Sequence, residues 1–551
     1  MAASIRQTTA ADAPKWLDLA KAALGEDHPA KQVYDLAWIA KELAPESGND
    51  TWVAEADGKL QASVTILPPF AKPENPVSNF ARNLFRPESY ANGAAEALVS
   101  HLNTASSSKQ LSHDSPLDRY KLVNQLKGTI IVTRVLASDN PQQILLEKLG
   151  YVCVGFQPFK HIHRAREGVL FYVRLGRTLD ARPPISESLQ QIGELATAVL
   201  ASCKIPTPNL VRDGVTGYPL KTEIGFHEAT FDDFDLWRSQ AQTANPPKEI
   251  SGSFNLGFGF LRMGSSQALK AALGQRDNAV VAGISYYYDE QDRCVRVIDG
   301  FATDDLSMGA MLQNVVKLAQ EQHSAVYVEA DILITAPRLI KSAEQLGFVP
   351  VAYLPAMFVK DGSFTDVVKM IKLNTSYALE NTTLTSHAQT IVKLVDYSFQ
   401  DQKIGVAIIN LLRGLPIFEG LGDGELRKIA RLFTQKLYRP GEKVFNKGDG
   451  GNEAYIVMRG QIDICLDEKT PPVASVASGQ IFGEQAFLDG AARGGLAVAG
   501  QPSIILVMQR SGFNDVVQRE PHLGMVVMRN IAMDLSNKLR RANTALSSTR
   551  K

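Results

Sequence analysis

Short runs of alternating apolar and polar residues, broken by stretches with an apolar residue every third or fourth position, fill the first two-thirds of the chain. Interleaved periods of this kind predict strands and helices in one mixed fold. Ile5–Asp12 reads as a strand passing into a helix start, with Asp12 placed to cap the helix and Trp16, Leu17, Leu19 and Ala20 forming its apolar face. Strands are predicted at Thr51–Glu55 and Leu60–Leu67, followed by a loop rich in proline, asparagine and charge over Pro68–Arg86. A helix at Ala94–Leu102, a polar loop around Thr104–Ser115, a strand at Thr129–Leu136 and a helix at Pro141–Leu149 come next. Strands at Tyr151–Phe156 and Val169–Leu175 close a unit over residues 1–176.

Much of this order recurs. Phe226–Asp233 with Trp237 lies over Ile5–Asp12 with Trp16 without a gap, and Leu346–Val351 repeats Leu149–Val154, with Pro355 standing where Pro158 does. Between these anchors the pattern predicts strands at Ala279–Tyr288, Val295–Ala302 and Ala325–Ile332 and helices at Ala310–Gln320 and Pro337–Leu346. Two anchors in the same order point to a duplication, residues 222–375 being the second copy. A proline-bearing connector over 177–221, with a helical Leu189–Ala201, joins the copies.

Beyond Thr375 the pattern changes. Ile391, Leu394, Val395 and Phe399, then Val406, Ile409, Leu412 and Leu415, keep helical spacing and predict linker helices over 376–409. After a helix at Gly424–Phe433 the chain turns to short strands punctuated by glycine, which predicts a small jelly-roll barrel within 410–545. A last helix, Asp515–Asn543, carries Leu523, Val527, Ile531, Leu535 and Leu539 along one stripe, read as a ligand-responsive helix, a dimer seam or a docked amphipathic helix. The fold class is thus α+β and multidomain, two α/β units followed by a β-barrel with flanking helices.

Within the barrel, Ile481–Phe482 enters Gly483, where backbone can approach a ligand unobstructed. Glu484 can accept a hydroxyl hydrogen bond and Arg493 can grip phosphate oxygens through its planar fork. By local chemistry alone, an ordinary surface glutamate and arginine flanking a turn is the favoured reading.

Composition narrows the classes. With 58 basic and 58 acidic residues, no global field draws the chain to nucleic acid or anionic membrane. Four widely spaced cysteines, Cys153, Cys203, Cys294 and Cys465, fit reduced thiols and have no metal-ligand spacing. Met1–Trp16 lacks the apolar run of a signal peptide, and no apolar stretch is long enough to span a bilayer, so a cytoplasmic protein is expected.

The run Leu-Pro-Ile-Phe, Gly-Glu-Lys-Val-Phe, Gly-Asp, Tyr-Ile-Val, Gly-Gln-Ile, Phe-Gly-Glu and Arg over about 410–545 resembles a cyclic nucleotide-binding domain of the catabolite activator protein and protein kinase A regulatory subunit type. The resemblance implies that Glu484 takes the ribose 2′-hydroxyl and Arg493 the cyclic phosphate, helped by Gly483 and neighbouring N–H groups. Phe482, Gln485, Ala486 and Gly494 complete the expected nucleotide set. Gly494 offers no hydroxyl after the arginine, which by the same resemblance favours cAMP over cGMP. With the chain stopping at Lys551 there is no room for a helix-turn-helix, so DNA binding is not expected.

The order of elements in the two copies resembles the GNAT acyltransferase fold. Pro87–Ala95 looks like that family's pyrophosphate loop, which makes Tyr90, Ala91, Asn92, Gly93, Ala94 and Ala95 the expected coenzyme A contacts together with Asn140. Tyr90 replaces the usual Gln or Arg, and Leu146 stands where the family often has a tyrosine that protonates the leaving thiolate. Glu88 and Glu147 are nearby carboxylates, and no catalytic residue is assigned. In the second copy Met311 crowds the loop and Ala343 takes the tyrosine position, which marks that copy as a structural or regulatory relic. Two functions follow. One is a cAMP-regulated transferase moving an acyl group from acetyl-CoA or another acyl-CoA to a protein or small amine; the other is a non-enzymatic receptor whose degenerate copies form an interaction platform. A homodimer through the C-terminal helix is compatible with either.

Overall fold

A computed structural model describes residues 3–28, 31–47, 49–67, 77–108, 130–162, 166–175, 190–206, 215–243, 248–250, 269–290, 292–360, 363–375, 377, 379 and 382–549. The chain divides into two units, Met1–Ser398 and Phe399–Lys551.

The first unit is built on one fourteen-stranded sheet. Its strands are β1 Ser4–Gln7, β2 Asp50–Ala56, β3 Lys59–Leu67, β4 Val77–Phe85, β5 Ile130–Leu136, β6 Val152–Ile162 and β7 Arg166–Leu175, then β8 Gly225–Thr230, β9 Lys270–Arg276, β10 Ala279–Asp289, β11 Cys294–Ala302, β12 Tyr327–Leu333, β13 Val349–Lys360 and β14 Ser363–Leu373. The spatial order is β1-β2-β3-β4-β5-β7-β6-β13-β14-β12-β11-β10-β9-β8. Read outward from the β6–β13 junction, the two halves carry the same order. Each has one parallel pair of four matched residues, Val77–Phe80 against Ile130–Thr133 and Cys294–Val297 against Tyr327–Ala330. At the junction Gly155 pairs with Ala352, and a Cβ there would lie 2.1 Å from the Ala352 methyl.

The two sequence anchors turn out to be repeated devices. The N–H of Thr9 donates to Asp12 at 2.8 Å, and that of Thr230 to Asp233 at 3.2 Å. The helices Asn140–Lys148 and Pro337–Gln345 both end in a Schellman turn at a left-handed glycine, with Tyr151 N–H on the Leu146 carbonyl at 3.0 Å and Phe348 N–H on Ala343 at 2.9 Å.

Several expectations change. Residues 77–85 form β4 instead of loop, because Phe80, Leu84 and Phe85 are buried and the strand is paired on both sides; 68–76 lie outside the described residues. The helix Ala94–Ser108 runs into the predicted polar loop, whose remainder is likewise undescribed. The side chain of Asp12 does not cap the following helix; its carboxylate is held by Arg6 at 2.7 Å, which keeps its pKa below the ordinary value. Strand β9 escaped the sequence pattern.

The second unit is a sandwich of two open sheets, not a closed barrel. Its strands are β15 Phe433–Tyr438, β16 Lys443–Phe445, β17 Glu453–Arg459, β18 Gln461–Cys465, β19 Ala474–Ala477, β20 Ile481–Phe482, β21 Leu496–Ala499 and β22 Ser503–Gln509. They order as β15-β22-β17-β20 and β16-β21-β18-β19, so each sheet keeps two free edges. Tyr455, Val457, Ile462, Phe482, Ala497 and Ile505 belong to one buried core. A second core packs Leu412, Leu415, Ile417, Phe418, Phe513, Leu523, Val527 and Ile531 on Ile456, Leu506 and Met508. The linker is one helix, Ser386–Arg413. The last predicted helix is broken into Arg510–Arg519 and Pro521–Thr549, since Pro521 keeps Glu520 extended at φ −133°. Of its stripe, Leu523, Val527 and Ile531 are buried while Leu539 is 63% exposed.

Candidate functional site

The second unit holds a cavity of about 1150 Å³. Its floor is the segment from β20 to Gly495, and its far side is formed by Asn530, Met533, Asp534 and Asn537 of the helix Pro521–Thr549. Strand β20 delivers the chain to Gly483, which turns left-handed at φ 75° and starts the short helix Glu484–Asp489. A side chain at Gly483 would be strained, and its Cβ would lie 2.7 Å from Arg493 Nη1. Phe482, Glu484 and Ala486 are buried, and Gln485 faces the cavity from an exposed position. First-turn N–H groups of such a helix have no carbonyl one turn back to receive them.

Arg493 is the centre of this arrangement. It is only 4% exposed. Its main chain is fixed by N–H donation to the Asp449 carbonyl at 2.8 Å and by Gly448 N–H on its own carbonyl at 2.9 Å. Its Nη1 donates to the Gly483 carbonyl at 2.8 Å and its Nη2 to that of Glu453 at 2.6 Å. The guanidinium lies over Phe445, 4.5 Å from the ring centre, and 5.3 Å from that of Tyr455. Among the described residues Arg493 has no ion pair, and its Nε is buried with no hydrogen-bond partner. A buried cation compensated only by carbonyl dipoles and aromatic faces favours an anion beside it.

All seven nucleotide residues read from sequence therefore meet at one cavity or its floor. Phe445, Tyr455, the Glu453 carbonyl and the polar row Asn530, Asp534 and Asn537 were not singled out. The row was legible as polar positions flanking the apolar stripe; the carbonyl contact carries no side-chain signal.

The expected coenzyme A residues are arranged differently. Tyr90 and Ala91 lie on the short helix Pro87–Ala91, Asn92 is its C-cap, and Gly93 turns at φ 78° into the helix Ala94–Ser108. Asn92 Oδ1 accepts the Ala94 N–H at 2.9 Å, so this N–H is already bonded. Burial, then the Asp139 carboxylate, push the Tyr90 hydroxyl pKa up. Asn140 opens another helix and donates to the Thr383 carbonyl at 3.4 Å. None of these residues lines the cavity described above.

Residues 435–520 match the family described as cyclic nucleotide-binding domain. The chain is 30% identical over 138 residues to the cyclic AMP receptor protein of Thermus thermophilus, covering 24% of this chain and 62% of that protein. It is 28% identical over 102 residues to the cAMP-dependent protein kinase regulatory subunit of Yarrowia lipolytica, 18% of this chain and 27% of that one. A solved cyclic nucleotide-binding domain from Methylobacillus flagellatus aligns over 27% of this chain and 85% of its own at 20% identity, with a TM-score of 0.25. The chain thus spans less than two-thirds of the length of these two relatives. Its second unit carries a cyclic nucleotide-binding domain. No helix of the described residues is long and apolar enough to cross a membrane.

Proposed function

We propose that the second unit is a cyclic-nucleotide sensor, cAMP its preferred ligand, which controls an acyltransferase-like tandem in the first unit. The observation that carries the sensor is Arg493, a buried cation without a counter-ion among the described residues, framed by Gly483 and Glu484. Arg493 meets the cyclic phosphate, Glu484 the ribose 2′-hydroxyl, and Asp534 and Asn537 the base. Titration of cAMP and cGMP into wild type and Arg493→Ala tests this. Loss of charge-assisted phosphate contacts weakens binding on the order of 2–4 kcal/mol, tens- to several-hundred-fold. Equal affinity in the variant removes Arg493 from the site.

For the first unit, the repeated strand order with its one parallel pair per half supports the GNAT-like reading, copies 1–176 and 222–375 corresponding to the two halves of the sheet. Of the two, the first copy is the one that would hold acyl-CoA and pass the acyl group to an amine. In the second copy the helix Ser307–Glu321 is preceded by Asp304, which accepts the Leu306 N–H at 2.9 Å and an Arg276 hydrogen bond at 2.8 Å. Tyr218 and Pro219 press on Gly309, where a Cβ would be 2.5 Å from the Pro219 carbonyl oxygen. Ile250 pairs with Ile332 on β12 just past the end of its pairing with β11. These contacts support reading the second copy as one without a cofactor site. Leu146 and the Asn92–Ala94 bond favour the second reading, a receptor without transferase activity. Calorimetry with acetyl-CoA separates the two, because absence of binding to the full chain sinks the enzyme reading.

A further inference from the structure

We infer that Thr383–Thr385 is a regulatory latch through which nucleotide binding acts on the first copy; the inference rests on the sensor reading above. The segment immediately precedes the helix Ser386–Arg413. It is clipped to the helix Asn140–Lys148, which opens with the expected cofactor contact Asn140. Gln143, fully buried, bonds it twice: its Nε2 donates to the Thr383 carbonyl at 3.0 Å, and its Oε1 accepts the Thr385 N–H at 3.1 Å. A side-chain amide here reads alternate peptide groups much as a neighbouring strand would. Thr383 N–H also donates to the Ala137 carbonyl at 2.9 Å, just past the end of β5. Thr385 Oγ1 donates to Glu147 at 2.5 Å and accepts the Ala388 N–H at 3.2 Å, so one hydroxyl both ties the segment to the first copy and caps the long helix. Glu147 is steadied in turn by the Tyr172 hydroxyl at 3.0 Å.

The same helix is anchored at both ends. Ala388, Ile391, Val392 and Val395 near its start are buried, and Leu412 at its other end belongs to a core of the second unit. A shift of that core on nucleotide binding is passed along a covalently continuous helix to the latch, and the helix carrying Asn140 lies directly on the latch. Displacement of the helix against this polar clip would supply the two-state element that coupling requires.

Hydrogen exchange and cAMP calorimetry on the full chain test this. In wild type, cAMP is expected to change exchange at the Thr383, Thr385 and Ala388 amides at least about fivefold. By reciprocity, Glu147→Ala and Gln143→Ala change cAMP affinity at least about fivefold, although both lie far upstream of the nucleotide residues, while Thr385→Ser keeps wild-type affinity. If wild type binds cAMP but latch exchange and variant affinities are unmoved, the latch is overturned and the sensor stands. If wild type binds neither cAMP nor cGMP, the sensor reading falls and the latch with it. The exchange experiment on wild type needs no variant to fold.

Discussion

At the scale of single residues, two glycines of the cassette behave in opposite ways. Gly483 is left-handed and crowded by Arg493 and Tyr455, whereas Gly494 has open space around its Cβ position and no positive φ. Gly483→Ala is therefore expected to cost about 1–2 kcal/mol of backbone strain and to push the Arg493 guanidinium off its carbonyls. Gly494→Ser should leave stability within about 0.5 kcal/mol and, by placing a hydroxyl after the arginine, narrow the preference for cAMP over cGMP. Denaturant unfolding together with both nucleotide titrations checks the pair, and an unstable Gly494→Ser with unchanged preference refutes the assignment. Gly483, Glu484 and Arg493 were legible because three side-chain requirements fall in a short stretch of sequence. What was not legible is how Arg493 is held. Backbone carbonyls of Gly483 and Glu453 bear its N–H groups, and any residue supplies a carbonyl.

At the scale of elements, misreadings have physical causes. Strand β4 begins after a proline-rich stretch, and its buried Phe80, Leu84 and Phe85 do not alternate, so its period-two signal is absent. Strand spacing is the same in a sandwich and in a barrel, and only pairing at the edges distinguishes them, so the pattern that predicts a barrel folds here as two open sheets. Glu249 is buried, accepts the Tyr218 hydroxyl at 2.6 Å, and its carboxyl is raised by burial to about 7, against the pull of that bond and of Arg338. The folded chain thus keeps a proton that the unfolded chain, with the ordinary 4.5, has released. Stability must fall as pH rises from about 4.5 toward 7 and level off above, by up to about 3 kcal/mol. Glu249→Gln is expected to flatten this dependence and to raise the melting temperature at pH 8; an unchanged profile would show that the carboxyl is ionised in the fold.

At the scale of the whole molecule, the repeated strand order has local markers in the sequence, because a Thr-x-x-Asp turn and a glycine-ended helix are local devices with fixed side-chain demands. The β6–β13 junction has none, since Gly155 and Ala352 are chosen only for closeness. Assembly is open to the same physical argument. On the helix Pro521–Thr549, Met525, Met528 and Leu539 are 63%, 44% and 63% exposed; exposed Ala532 and Leu535, which is half-buried against the unit's own core, complete a three-four spacing between them. That spacing is self-complementary in a two-stranded coil, so we propose a second copy of this chain as the partner of the stripe. Met528→Glu combined with Leu539→Glu is expected to convert a dimer into a monomer in sedimentation equilibrium. Neither residue lines the nucleotide cavity, so cAMP binding should survive in the monomer. A wild-type chain that sediments as a monomer at all accessible concentrations rejects the dimer. If it dimerises but the charged variant does too, the seam lies on another face. If the variant is monomeric and loses cAMP, the expectation that the pocket is complete in one chain fails, although Asn530 is held there by the Ile417 and Glu419 carbonyls at 3.2 and 2.8 Å.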